Sequence, residues 1–405
     1  MDELVSELKP KERLKSVALS YGLDKACTEM SYEKAVNLVN KLTHREESDP
    51  GRLRKNTVCD HVHTFGMEMS ECMDAMAAEV LETNGFSPET GLATGDVSQF
   101  SAPTLLAPPE VAEERREIIE KYNEAVKDDR LKIKDREKIL AVEEPLPGDV
   151  VISDDGDLVP HQKESRAKGS KRDKKKIELQ CAHIKFGGQC RVFVSSSLCK
   201  LQLQMLAFLI VSGVLTKSAR ILCITDGAKC LRAGFDKLLS FRRDKVFILD
   251  WYHLKKRVDE LCSMAFKGKK EVKKEIKCLI TGMLWVGNVE DAIKYVESFD
   301  SKKIANESKR QELLGYLRSR NDSIPCYALR KLVGAPYTST DVEKTNDTLV
   351  SEREKGRGMS FSTKGSEALA YLKAAFVNGD YESWMYEKKL SWKTHPWHHS
   401  AEKAA

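Results

Sequence analysis

Three acidic residues of this 405-residue chain stand where they could hold metal ions for phosphodiester chemistry. Asp155 and Asp226 each follow a short apolar run typical of a buried strand, and Glu343 begins a helical pattern. Two Mg²⁺ ions about 3.5 to 4 Å apart activate the attacking oxygen and stabilise the leaving oxygen of such a reaction. Because hard divalent cations prefer oxygen ligands, the three carboxylates predict a Mg²⁺ site, in which Mn²⁺ can substitute.

Each of these residues also has an ordinary structural interpretation. Asp-Gly pairs such as Asp155-Gly156 and Asp226-Gly227 are common turn formers, and a glutamate at a helix start complements the helix dipole. Only the combination of all three favours a metal site. Within VVISDDGDLVPHQK, Asp154 and Asp157 are alternatives to Asp155, and strand alternation puts Asp154 on the face opposite Asp155.

Asp250 and His253 form a second pair with chemical potential. Asp250 ends the apolar run Lys245–Leu249, and His253 follows one helical turn later. At a strand-to-helix junction, the carboxylate could accept a hydrogen bond from the imidazole and fix its tautomer. The alternative is that His253 only caps or packs.

Three blocks of the sequence resemble DDE-type transposases of bacterial insertion sequences, which are related in site pattern to the Mutator-like transposases. The blocks are ILCITDGAK, ILDWYHLKK with a C/D-x-x-H signature, and DVEKTNDTLVSEREKGRGMSFSTKGSEAL at 341 to 369. The resemblance covers roughly residues 150 to 385. It implies that Asp155, Asp226 and Glu343 are the catalytic, metal-binding residues and that Asp250 and His253 assist them.

The resemblance also implies a fold and a reaction. The fold is an RNase H-like mixed α/β sheet with flanking helices, interrupted by an all-helical insertion. The enzyme would cleave DNA at the ends of an insertion sequence and transfer the freed 3′-hydroxyl into target DNA. Double-stranded DNA, as terminal repeats and as target, is the expected partner, and assembly on two ends implies a homo-oligomer.

The pattern of apolar residues predicts the elements that position these side chains. From residue 149 onward the expected order is β-β-β-α-β-α-β, with Gly187-Gly188 turning the second strand into the third. Residues 252 to 330 read as helical. The predicted segments are a helical region (1–85), a Pro-rich charged connector (86–148), the catalytic core (149–253 and 336–380), a helical insertion (254–335) and a tail (381–405).

The amino-terminal region predicts a helix-turn-helix-like unit that binds DNA. Two helical patterns precede a polar break, and a short helix from Lys55 is expected to stop at Gly66. An ordinary helical hairpin is the alternative.

A basic stretch at 163–176 holds eight basic residues in fourteen and suits either phosphate binding or a solvated hairpin tip. The predicted DNA contacts are Lys55, Asn56, Thr57, His61, Lys171, Arg172, Lys174, Lys175, Lys355 and Arg357.

Composition limits the remaining possibilities. A formal net charge of +5 is weak support for a polyanionic partner by itself, so the location of the charges matters more. The 11 cysteines include no C-x-x-C pair, which favours a reduced cytoplasmic interior over zinc sites. No apolar run approaches the ~20 residues of a membrane span. We therefore expect a cytoplasmic, nucleoid-associated protein without a membrane partner. A structure-selective nuclease and a relative that only binds DNA are the rival hypotheses.

Overall fold

The computed structural model of the protein describes residues 17–101, 109–134, 149–162, 175–215, 220–242, 245–356 and 359–396. Its architecture is mixed α/β, as predicted. Strands and helices alternate from residue 150 in the expected order β-β-β-α-β-α-β. The strands are β1 (Val150–Pro160), β2 (Lys176–Phe186), β3 (Gln189–Ser195), β4 (Ile221–Thr225), β5 (Lys245–Leu249) and β6 (His395–Pro396).

One six-stranded sheet has the order β5-β4-β1-β2-β3-β6. Strand β1 runs parallel to β4, and β4 runs parallel to β5. Strands β2 and β3 form an antiparallel hairpin, and β6 pairs with β3. The hairpin turns at Gly187 and Gly188, whose φ angles of +53° and +74° glycine adopts without the Cβ penalty.

The rest of the described chain consists of helices joined by turns and loops. They are α1 (Val17–Glu29), α2 (Tyr32–Leu42), α3 (Lys55–Thr83), α4 (Pro109–Ala125), α5 (Leu198–Val211), α6 (Lys229–Leu238), α7 (Trp251–Ala265), α8 (Lys270–Trp285), α9 (Val289–Glu297), α10 (Glu307–Arg318), α11 (Tyr327–Leu332), α12 (Thr340–Asn346), α13 (Thr363–Asn378) and α14 (Tyr381–Glu387). A π-helical turn, Asp347–Ser351, and a last turn, Glu352–Glu354, continue α12.

The chain divides into two compact units, and neither is a continuous segment. The first unit comprises Met1–Asp96, Asp155–Ser212 and Val342–Ala405, and the second comprises Val97–Asp154 and Gly213–Asp341. Strand β1 crosses the boundary, because its residues up to Asp154 belong to the second unit and those from Asp155 belong to the first.

The core of the first unit joins helices to the inner face of the hairpin. Apolar side chains of α1 to α3 pack with those of β1 to β3 and of α13 and α14; examples are Leu23, Val36, Val62, Leu179, Val194, Leu372 and Trp384. Burial of such side chains is the main favourable term in folding. The core of the second unit combines β4 and β5 with the helices that follow; examples are Leu222, Ile248, Leu254, Val258, Ile280 and Leu313.

Helix α3 corrects one prediction. It does not end at Gly66 but continues to Thr83, for a total length of 29 residues. Gly66 is needed for packing rather than termination, because a Cβ there would lie 2.1 Å from the carbonyl oxygen of Ala368 in α13. The glycine allows the backbones of α3 and α13 to come close together.

The turn predicted at Asp155-Gly156, after the first strand, is also wrong. Asp155 does not end the strand, since β1 continues through Gly156 to Pro160. Gly156 is not in a turn; a Cβ there would lie 2.9 Å from Nε2 of Gln180, on β2. The strand environment outweighs the local turn preference of the Asp-Gly pair. Among the described helices, none is long and apolar enough to cross a membrane.

Candidate functional site

Asp155 lies half-buried in the first unit and is held on both carboxylate oxygens. The side-chain amide of Asn346 donates a 2.9 Å hydrogen bond to Oδ2, and the Gly156 amide donates a 2.8 Å bond to Oδ1. Asn346 stands 191 positions from Asp155 in the sequence, at the end of α12. This contact therefore joins α12 to the middle of β1.

Glu343 lies on the same helix, three residues before Asn346, and is half-buried. Residues three apart on a helix share a face, with Cβ atoms about 5 to 6 Å apart. Because Asn346 contacts Asp155, Glu343 lies on the face of α12 that carries this contact. Two of the three predicted metal ligands thus occupy neighbouring elements of one unit.

The alternatives to Asp155 have different surroundings. Asp157 is 7% exposed and accepts a 2.8 Å hydrogen bond from Oγ of Ser351. It also forms an ion pair with Lys355, a predicted DNA contact. Asp154 is 1% exposed, in the part of β1 that belongs to the second unit.

Asp226 follows β4 as predicted and lies half-buried in the second unit. Its Oδ1 accepts a 2.7 Å hydrogen bond from the amide of Ala228. Gly227, between them, has a φ angle of +86°, in the left-handed region that favours glycine. The turn-forming interpretation of this Asp-Gly pair is therefore correct, and it fixes where the carboxylate lies.

Asp250 is fully buried and caps helix α7. Its Oδ1 accepts hydrogen bonds from the amide of His253 at 2.8 Å and from Nδ1 of the same residue at 3.0 Å, while Oδ2 accepts one from the amide of Ser339 at 2.6 Å. Burial would raise the pKa of Asp250, but these hydrogen bonds outweigh it and lower that pKa. The predicted Asp250–His253 hydrogen bond is present. Because a carboxylate only accepts, Nδ1 carries the proton of the neutral ring.

The predicted DNA contacts on α3 occupy different environments. Lys55, Asn56 and Thr57 form its first turn, where exposed amides attract anions. Lys55 and Asn56 are exposed. His61 instead packs inward, within 3.2 Å of the buried carboxylate of Asp24.

The first turn of α3 lines a cleft of about 1030 Å³ in the first unit. The described lining carries four carboxylates against three cations, so it has no excess of positive charge. These are Glu33, Asp60, Glu68 and Glu71, against Lys55, Arg353 and Lys364. Of the other predicted DNA contacts, Lys175 is exposed just before β2. Lys171, Arg172, Lys174 and Arg357 lie outside the described residues.

Two properties of the predicted ligands bear on Mg²⁺ binding: how the side chains are grouped, and which donor atoms they offer. Among the described residues, no group of three or more histidine, cysteine, aspartate or glutamate side chains is arranged to hold a metal ion. The individual donors suit Mg²⁺, since Asp155 and Glu343 in the first unit and Asp226 in the second offer half-buried carboxylate oxygens.

Sequence reasoning did not assign a role to Asn346 or to Glu354. The spacing of Asn346 from Glu343 was the available signal, because residues three apart on a helix share a face. Glu354 is fully buried and its Oε2 accepts a hydrogen bond from Ser366. Burial raises the pKa of Glu354 to about 8. A glutamate in the charged run SEREK gives no sequence signal of such burial.

Comparison of the chain with models of known families, with characterised proteins and with solved structures finds no match.

Proposed function

We propose that this protein is a Mg²⁺-dependent DNA transposase of the DDE type, with an RNase H-like catalytic domain. The observation that carries the proposal is the hydrogen bond from Asn346 to Asp155, since it joins the helix of Glu343 to the strand of Asp155. Glu343, from the third block that resembles transposase motifs, and Asp155, from the first strand, are thereby brought onto adjoining elements. A protein that only binds DNA has no need of that arrangement.

The mixed sheet is consistent with the finer fold assignment. An RNase H-like domain needs an antiparallel hairpin followed by parallel strands, and the order β5-β4-β1-β2-β3 contains β2-β3 antiparallel and β1-β4-β5 parallel. Its carboxylates are expected on the central strand and at the carboxyl end of its parallel neighbour. Asp155 on β1 and Asp226 after β4 meet that expectation.

Within this proposal each residue has a defined task. Asp155, Asp226 and Glu343 would hold the metal ions, which when bound activate the attacking oxygen and stabilise the leaving oxygen of a phosphodiester. Asn346 donates to Asp155 and so restricts the rotation of its carboxylate. Asp250 fixes the imidazole of His253 with the proton on Nδ1, which leaves Nε2 as the ring atom able to accept a proton.

The test uses labelled double-stranded DNA that contains the sequences flanking the gene, incubated with the full chain and Mg²⁺. We expect nicked ends followed by joined strand-transfer products, with Mn²⁺ supporting the same reaction. Glu343→Gln keeps the size of the side chain and removes its charge, so both products should fall by about 10³-fold or more. Glu352→Gln is the matched control, because Glu352 is an exposed carboxylate on the same helical run and glutamine keeps an oxygen that can accept from its partner, Lys373.

The outcomes separate the rival functions. Cutting without joined product would identify a nuclease, and binding without cutting would identify a DNA-binding relative. Joining that survives Glu343→Gln would show that the site assignment is wrong. Equal losses in Glu343→Gln and Glu352→Gln would point to general disruption of the helix rather than to a catalytic carboxylate.

A further inference from the structure

Arg320 connects the helices of the second unit, at the end of α10, to the loop that carries Asp226. It follows helix α10 and donates a 2.7 Å hydrogen bond from Nη2 to the carbonyl oxygen of Gly227. Nη1 donates a 3.0 Å bond to Oγ of Ser319, and the guanidinium lies 4.6 Å from the ring centre of Tyr316. The guanidinium is thus fixed from two sides while it holds the loop.

Gly227 has the space and conformation that this contact requires. A Cβ at Gly227 would lie 3.1 Å from Nε of Arg320 and 2.6 Å from Cδ1 of Leu249. The φ angle of Gly227, +86°, lies in the left-handed region that favours glycine. Any residue with a side chain would both strain the backbone and displace Arg320.

The peptide unit between Gly227 and Ala228 is held at both of its polar groups by side chains. Arg320 holds its carbonyl oxygen, and the amide of the same peptide unit, which belongs to Ala228, donates to Oδ1 of Asp226. Rotation of this peptide would break both hydrogen bonds together. A charged donor gives one of the stronger hydrogen bonds available to a carbonyl.

The phenol of Tyr316, which the Arg320 guanidinium faces, is influenced by both strand-end aspartates. Burial raises the pKa of Tyr316, Arg320 and Arg257 lower it, and the carboxylates of Asp226 and Asp250 raise it.

We propose that Arg320 is a positioning residue for Asp226, acting through the Gly227–Ala228 peptide. The proposal rests on the proposed function, because it assigns Arg320 to the orientation of a catalytic carboxylate. Arg320 uses two separate nitrogens, one for the Gly227 carbonyl and one for Ser319. Lysine has a single ammonium nitrogen and cannot reproduce the fixed geometry of these two donors.

The first experiment measures the loop without reference to catalysis. Hydrogen exchange of the Ala228 amide is compared in the full-length wild type, Arg320→Ala and Arg320→Lys. Loss of the hydrogen bond to Gly227 should speed exchange about tenfold in Arg320→Ala and less in Arg320→Lys. Arg318→Ala is the matched control, because Arg318 is exposed and pairs with Glu297 instead. Unchanged exchange in Arg320→Ala would overturn the proposal.

The second experiment measures DNA cleavage under single-turnover conditions. Arg320→Ala should lower the rate at saturating DNA by about 30-fold, since a misplacement of about 1 Å can cost up to 10² in rate. The DNA concentration for half-saturation should stay within about twofold, because Arg320 is assigned to the carboxylate and not to DNA. Millimolar guanidinium should partly restore the rate of Arg320→Ala and leave Arg318→Ala unaffected.

The two experiments distinguish failure of this inference from failure of the proposed function. A wild type that never cleaves DNA, combined with faster exchange in Arg320→Ala, would refute the transposase proposal and support the loop contact. A wild type that cleaves, with Arg320→Ala cleaving equally fast, would refute the positioning role. If Arg320→Ala raised the DNA concentration for half-saturation and left the rate at saturating DNA unchanged, the positioning role would also be refuted. Arg320 would then be assigned to DNA contact.

Discussion

Substitution of Gly66 by alanine tests the close approach of α3 and α13. The added Cβ would lie 2.1 Å from the carbonyl oxygen, 2.6 Å from the carbonyl carbon and 2.7 Å from Cα of Ala368. All three are backbone atoms, so a change of side-chain rotamer cannot relieve the clash. Restoring an ordinary contact of about 3.3 Å requires the two helices to separate by about 1 Å.

The magnitude follows from two opposing terms. Replacing glycine by alanine in a helix interior gains about 1 kcal/mol from backbone propensity. Overpacking costs about 1 to 3 kcal/mol, and a backbone clash belongs at the upper end of that range. We therefore expect Gly66→Ala to lower the free energy of unfolding by about 2 kcal/mol.

Gly22→Ala is the matched control. Gly22 lies in helix α1, is exposed, and a Cβ there would have no atom within 4 Å. It should receive the propensity gain alone, about 0.5 to 1 kcal/mol. Urea unfolding followed by circular dichroism gives both free energies, and hydrogen exchange of α3 amides assigns the loss to the first unit. If Gly66→Ala were as stable as Gly22→Ala, the close packing of α3 on α13 would be wrong.

Three further outcomes are expected. Asn346→Asp places a second carboxylate against Asp155 and should slow DNA cleavage by about 10²-fold or more, whereas Asn346→Ala should lose about tenfold; equal rates in both variants would contradict the contact. Asp250→Ala leaves buried donors unpaired and should cost about 2 to 4 kcal/mol in urea unfolding. Because the pKa of Asp250 is lowered in the folded state, its stabilisation is present above about pH 4 and declines as pH falls, a decline that Asp250→Asn should lack. Glu354 has its pKa raised to about 8, so its contribution is full below about pH 4.5 and is lost as pH rises toward 8. Glu354→Gln should flatten that slope of about 1.4 kcal/mol per pH unit, and an unchanged slope would show that another group is responsible.

The sequence predicted the strands, turns and contacts whose interacting residues lie close together in the chain. Strand β4 is buried throughout and apolar up to its last residue, Thr225, and the Gly187-Gly188 pair turned the hairpin as expected. The Asp250–His253 hydrogen bond was predictable for the same reason, because it spans one helical turn. In such cases the interacting groups lie within a few residues of each other, so spacing alone specifies the contact.

Contacts between distant segments could not be predicted in this way. Asp155–Gly156 has a strong local turn preference, yet it stays extended in β1 beside Gln180 of β2. Gly66 resembles a helix terminator, but tertiary packing against Ala368 carries α3 past it. The third hydrogen bond to Asp250 comes from a backbone amide, that of Ser339, which leaves no signature in the sequence.

The discontinuity of the two units sets an order for folding during synthesis. The second unit is complete once Asp341 has left the ribosome, whereas α3 must wait for α13, which is nearly three hundred residues further along the chain, before it gains one of its main packing partners. Long-range contacts of this kind form slowly, and the face of α3 that packs on α13 stays exposed in the meantime. A nascent chain stalled between these helices would present that face to chaperones. For the same reason, a fragment that ends before α13 would lack an essential part of its own core, so neither unit can be produced by trimming the chain at a single point.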